Sequence, residues 1–168
     1  MPYQRASSRA AEATVREWRG TCSGKHYLLH SLFSELGLDT RILMCTHEFT
    51  EQNTSHFPEY LRHYISEGPI PDVHTFIRMK GDFGLMDVDA TWPLRTRRLG
   101  MMVNKDFNLG TNMIVACSPI EIFEVPPDID PQVFKEQLIS SYCGTQSERR
   151  DLFIQKLSDW LLESTSEI

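Results

Sequence analysis

Residues 20–38 read GTCSGKHYLLHSLFSELGL, and the reading of that stretch organises the rest of the chain. At helical spacing Cys22, His26, Leu29, Phe33 and Leu36 form one stripe, while Ser23, Tyr27, Ser31, Ser34 and Glu35 fall on the far side. Gly37 supplies a C-terminal stop. The pattern predicts a helix that buries one face and carries a cysteine in its first turn. A thiol there meets unpaired backbone N–H groups and the positive end of the helix dipole, which favour thiolate over thiol. Cysteine is also among the residue types most often buried as a small apolar group, so a nucleophile here requires a matching base elsewhere.

The chain has 168 residues, enough for one domain with a proper core. A single domain over 1–168 is expected, with a core over about 15–125 and C-terminal helices over about 130–163. A net charge of −6 argues against a nucleic-acid binder with a broad basic face, and Arg95, Arg97 and Arg98 read as a solvated loop. No run of apolar residues is long enough to span a membrane, and the first residues lack the apolar centre of a signal peptide, so a cytoplasmic location is expected. The four cysteines include no Cys-x-x-Cys pair and fit reduced thiols, with Cys45 and Cys117 in apolar runs as core residues.

In chain order, residues 7–18 read as a short helix and 40–49 as a buried strand. Residues 50–71 loosen into a lid or substrate rim, with a short helix over 59–65 and His56 and His63 at the surface. Residues 94–112 read as irregular, and 112–127 as one or two strands broken at Pro119. Residues 130–142 and 147–162 are helical in pattern, the last an outer helix with its apolar face at Leu152, Phe153, Leu157, Trp160 and Leu161. The expected fold class is α+β, a cysteine-bearing helix packed against an antiparallel sheet, with C-terminal helices.

The base comes from residues 73–91, VHTFIRMKGDFGLMDVDAT, which read as two antiparallel strands. With Gly81 and Asp82 as the loop, Phe76 opposes Asp87 and His74 opposes Asp89. With Asp82 and Phe83 as the loop, His74 moves opposite Thr91 but stays on the face of Asp87 and Asp89, because a shift of two preserves side-chain parity. A satisfied core histidine is the plainer alternative. Otherwise Cys22, His74 and Asp89 make the set that acyl transfer through a thioester requires: nucleophile, base, and the carboxylate that orients the base. The Cys22 backbone N–H could donate to an oxyanion, and no second donor is evident. Trp18, Phe76 and Trp92 are the aromatic side chains expected to line a substrate site. Metal binding by Cys22, His26 and His30 is a weaker alternative, since His30 is rotated away and no fourth ligand is evident; no metal and no cofactor are expected.

Gly20-Thr21-Cys22 opening an apolar helix, Gly37-Leu38-Asp39-Thr40-Arg41 leading into a strand, a His-bearing strand and then Asp89-Ala90-Thr91 together resemble the transglutaminase-like superfamily of papain-type thiol enzymes over residues 15–93. The resemblance implies a catalytic Cys, His and Asp in this chain order, which fall on Cys22, His74 and Asp89. Where the family often carries a Trp and then an acidic residue after the histidine, this chain has Phe76 and Arg78. Members include cross-linking enzymes, proteases, amidases and peptide:N-glycanases, and some are inactive. The resemblance therefore implies a cysteine hydrolase or acyltransferase acting on a protein or peptide, or on a small amide, with hydrolysis or deamidation favoured over cross-linking. Arylamine N-acetyltransferases share the Cys-His-Asp logic and an Asp-Val after the histidine strand, as Asp87-Val88 here. The alternative from another class is an inactive module that keeps the groove to bind a peptide. The oligomeric state does not follow from the sequence.

Overall fold

The computed structural model describes residues 1–166. Its elements are α1 (Ala11–Glu17), α2 (Cys22–Glu35), β1 (Asp39–Phe49), α3 (Glu59–Ser66), β2 (Ile70–Gly81), β3 (Gly84–Val88), β4 (Glu121–Glu124), α4 (Pro131–Cys143) and α5 (Ser147–Ser166). The fold is α+β: N-terminal helices pack on a four-stranded antiparallel sheet of order β3-β2-β1-β4, and a long helix closes the described chain. None of the described helices is long and apolar enough to cross a membrane.

The β2–β3 hairpin turns at Asp82 and Phe83, not at Gly81 and Asp82, with Gly81 paired to Gly84 and Arg78 to Asp87. Gly84 carries the left-handed conformation, at φ 92°, just after the turn. A turn of ordinary negative φ followed by a left-handed glycine is a regular way to close a hairpin. Glycine is therefore needed behind the turn and not within it. Arg78 locks the register with a two-pronged ion pair to Asp87, at 2.7 and 3.0 Å.

Helix α2 is buried more completely than a single apolar stripe implies. All six residues from Cys22 to Tyr27 are buried, Ser23 and Tyr27 included, whereas Leu36 is 74% exposed. The first two turns are enclosed on several sides: Ser23 Oγ meets Thr75 Oγ1 of β2 at 3.1 Å, and the Tyr27 hydroxyl donates to the Pro131 carbonyl at the start of α4. Further along, Leu29 and Phe33 rest on Ile77, Met79, Met86 and Val88. Tyr27 joins Ile42, Met44 and Val73 of the same sheet face to Ile139 and Cys143 of α4. The cluster of Leu43, Cys45 and Phe76 is covered not by a helix but by the irregular chain around Val115 and Cys117.

Several sequence expectations change. Helix α1 starts at Ala11, because the Ser7 backbone and hydroxyl are hydrogen-bonded to Glu17 instead of capping a helix. Residues 50–71 are no loose lid: Phe57, Leu61, Ile65 and Ile70 join Phe49, Phe153, Leu157 and Leu161 in the largest apolar cluster. Helix α5 is correspondingly a core element. Its buried side carries Phe153, Ile154, Leu157 and Leu161, while Leu152 is 48% exposed. Residues 112–127 do supply one strand, β4, which follows Pro119. Arg95, Arg97 and Arg98 do lie exposed, in a 3-10 turn at Leu94–Leu99.

At Gly24 α1 and α2 lie too close for a larger residue, since a Cβ there would stand 2.7 Å from Thr14 Oγ1. Gly24→Ala should lower stability by about 1–3 kcal/mol through overpacking, against the roughly 1 kcal/mol that alanine gains in an open helix. A urea denaturation midpoint below that of the wild type is the expected result.

Candidate active site

Cys22 is the first residue of α2, and Thr21 at the cap position makes no side-chain bond to the turn that follows. The N–H groups of that first turn are therefore not consumed by a cap. Gly20 to Gly24 form one wall of a cleft of about 290 Å³, whose other walls include Tyr3, Arg5, Lys135 and Asp151. Cys22 itself is 6% exposed. Chain segment 5–9 borders this cleft and is tied to the far wall by ion pairs from Arg5 to Asp151 and from Arg9 to Glu136.

His74 and Asp89 meet as the strand parity requires. His74 Nε2 donates to Asp89 Oδ2 at 2.7 Å, with both side chains almost wholly buried. That bond leaves Nδ1 as the ring nitrogen able to serve the thiol. Asp89 also accepts from the Thr91 N–H at 2.9 Å and the Ala116 N–H at 2.8 Å. Its carboxylate is thus held by three donors from three parts of the chain.

His26 links the cysteine helix to the same segment. Its Nδ1 lies 2.7 Å from the Cys22 carbonyl, and its Nε2 accepts from the Ala90 N–H at 2.9 Å. An acceptor at one nitrogen and a donor at the other fix a neutral ring protonated at Nδ1. Burial likewise holds His26 below its ordinary pKa. With His26 committed in this way and His30 bonded to Thr40, neither is free to join Cys22 in a ligand set. Among the described residues no group of three or more His, Cys, Asp and Glu side chains could hold a metal ion.

The electrostatics favour an ion pair. Burial alone would raise the Cys22 thiol, but the Lys135 ammonium and the His74 imidazole outweigh it and hold the thiol well below its usual range. Burial would lower His74, but the Asp89 carboxylate and Cys22 raise it well above its usual value. Asp89 is depressed despite burial, first through the His74 charge and hydrogen bond and then through its bond from Thr91. Lys25, whose Nζ donates to the Thr91 carbonyl at 2.7 Å, is brought down to about 7 by burial, with Cys22 and Asp89 opposing the fall.

The three aromatic residues expected to line the site are dispersed. Trp18 is 65% exposed and borders a separate cleft with Met1, Pro93 and Leu94. Phe76 is fully buried and lies nearly parallel to the His74 ring, centroids 6.2 Å apart, so it braces the imidazole and presents no surface to a substrate. Trp92 packs on Tyr3 at 4.6 Å and borders another cleft, with His47 and Cys117. Lys135 joins the site from α4. Its Nζ stands 3.6 Å from Cys22 Sγ and 3.0 Å from Thr75 Oγ1, at 2% exposure. A lysine in an amphipathic helix carries no sequence signal of burial. No known family, curated protein or solved structure matches the chain.

The pair has a defined pH window. The depressed Asp89 contributes fully above the ordinary carboxyl value near 3.9, and its contribution fades as pH falls through the depressed one. The raised His74 contributes fully below about 6.5 and fades as pH rises through its raised value. Asp89→Asn should therefore cost most, about 3–5 kcal/mol, between roughly pH 4 and 6.5, with a smaller deficit on either side. Urea midpoints of both proteins across pH give the comparison.

Proposed function

We propose that this chain is a thiol-dependent acyl-transfer enzyme with Cys22 as nucleophile, His74 as base and acid, and Asp89 as the group that orients His74. The observation carrying the reading is the buried 2.7 Å bond from His74 to Asp89, set beside a thiol at an uncapped helix start. The order of the three residues and the helix-on-sheet placement support the finer assignment to a transglutaminase-like, papain-type core. The acyl donor, an amide of a protein side chain, a peptide bond or a small amide, would enter by the 290 Å³ cleft that Cys22 lines.

In this mechanism the Cys22 thiolate attacks the carbonyl carbon and the π electrons move to oxygen. Collapse of the tetrahedral species re-forms the carbonyl and breaks the bond to nitrogen, while His74 gives its proton to the departing amine. The thioester that remains is attacked by water or an amine. His74 takes the proton of that acceptor, and the second collapse returns Cys22 as thiolate. Activity falls on the acid side as the thiolate is protonated and on the alkaline side as His74 loses its proton.

Iodoacetamide alkylation, followed cysteine by cysteine with mass spectrometry across pH, tests the reading. Cys22 should react well below the ordinary thiol value near 8.5. Cys143, pushed up to about 11 mainly by burial, should lag behind it. His74→Ala should move the Cys22 profile upward, and Cys22→Ala should keep the fold and form no acyl-enzyme. An unreactive Cys22 in both wild type and His74→Ala would leave the inactive, peptide-binding groove as the better account.

A further inference from the structure

We infer that Lys135 is a further catalytic residue, the side-chain donor that binds the oxyanion formed when the Cys22 thiolate adds to a carbonyl; this rests on the acyl-transfer reading above. Lys135 is 2% exposed and borders the cleft, yet its ammonium forms no ion pair with a carboxylate among the described residues. A buried ammonium is costly unless paired, and lysine is almost never fully buried without a partner. Its hydrogen-bond partners are Cys22 Sγ at 3.6 Å and Thr75 Oγ1 at 3.0 Å. An ammonium has three N–H bonds, so one remains for a ligand in the cleft.

The geometry suits an oxyanion. The carbonyl oxygen stands one bond beyond the carbon joined to Sγ, within reach of a donor 3.6 Å from that sulfur. The separation required of such a donor is about 2.7–3.1 Å. The first-turn N–H groups of α2 offer a second donor from the helix side. As the π electrons move onto oxygen, Lys135 strengthens a hydrogen bond and gives up no proton; on collapse the electrons return to the carbonyl. The ammonium also faces Cys22 before reaction, so the same group favours the thiolate and then the charge that leaves it.

Two reagents separate these effects. Iodoacetamide reacts by displacing iodide at a saturated carbon and forms no oxyanion, whereas p-nitrophenyl acetate acylates through one. Both reactions at Cys22 can be followed by intact-protein mass spectrometry over pH, to obtain limiting rate constants for the fully ionised thiol. In Lys135→Met the limiting acylation constant should fall roughly 10²–10³-fold, with the limiting alkylation constant changed only a few-fold. Lys135→Gln, which keeps an N–H donor without the charge, should recover part of the loss. Thr75→Val, which removes the hydroxyl that holds Nζ, should slow acylation more than alkylation and serves if Lys135→Met does not fold. Equal changes in the two constants across these variants would overturn the assignment and reduce Lys135 to a thiolate-stabilising charge. A wild-type Cys22 that alkylates readily but is never acylated would overturn the acyl-transfer reading together with this one.

Discussion

The Asp89 carboxylate is the point on which the structure closes. It lies just beyond β3, accepts from His74 on β2, from Thr91 in its own segment and from Ala116 in the long loop before β4. Asn104 secures the same loop, donating to the Asp89 carbonyl at 2.9 Å and exchanging two bonds with the Ile114 backbone. A buried carboxylate is costly unless its lone pairs are filled, and here they are filled by groups that must all arrive together. The loop over Leu43, Cys45 and Phe76 is thereby fixed although it has no regular structure. Irregular chain becomes part of the scaffold because a charge beneath it demands donors.

A second buried carboxylate, Asp72, stands two residues before His74. It is held ionised against burial by Arg150 of α5, whose Nε lies 2.7 Å away, and by His47 of β1. Asp72 therefore anchors the C-terminal helix to the strand that carries His74. Together the two carboxylates hold His74 from both directions along the chain: one orients its ring, and the other ties its strand to β1 and α5. The apolar clusters supply the bulk of the burial, but these charge sites determine which elements lie against one another.

The cysteine helix, the His-bearing strand and the position of Asp89 were legible because each rests on a local rule. Helical spacing and a glycine stop outline α2, and strand parity places His74 and Asp89 on one face whichever two-residue turn closes the hairpin. The turn itself was misplaced by one residue because glycine lies on both sides of Asp82 and Phe83. What the sequence hid is what depends on distant packing. Ser23 and Tyr27 look polar and outward in projection, yet Ser23 meets β2 and Tyr27 meets the start of α4; Lys135 looks solvated, yet it points at the thiol. Residues 50–71 look loose because their apolar positions are spaced among polar ones, although α5 gathers those positions into the main core.

The groups around Cys22 come from widely separated parts of the chain. His74 and Asp89 are 15 residues apart, but Lys135 reaches the thiol across 113. Contacts of such long range carry a larger loop-closure cost than local ones and are slow to form. Until α4 docks, Cys22 lacks the Lys135 ammonium that helps hold it ionised, and the cleft lacks the wall that α4 provides. The electropositive setting of Cys22 is thus a property of the completed tertiary structure and is absent from a partly folded chain.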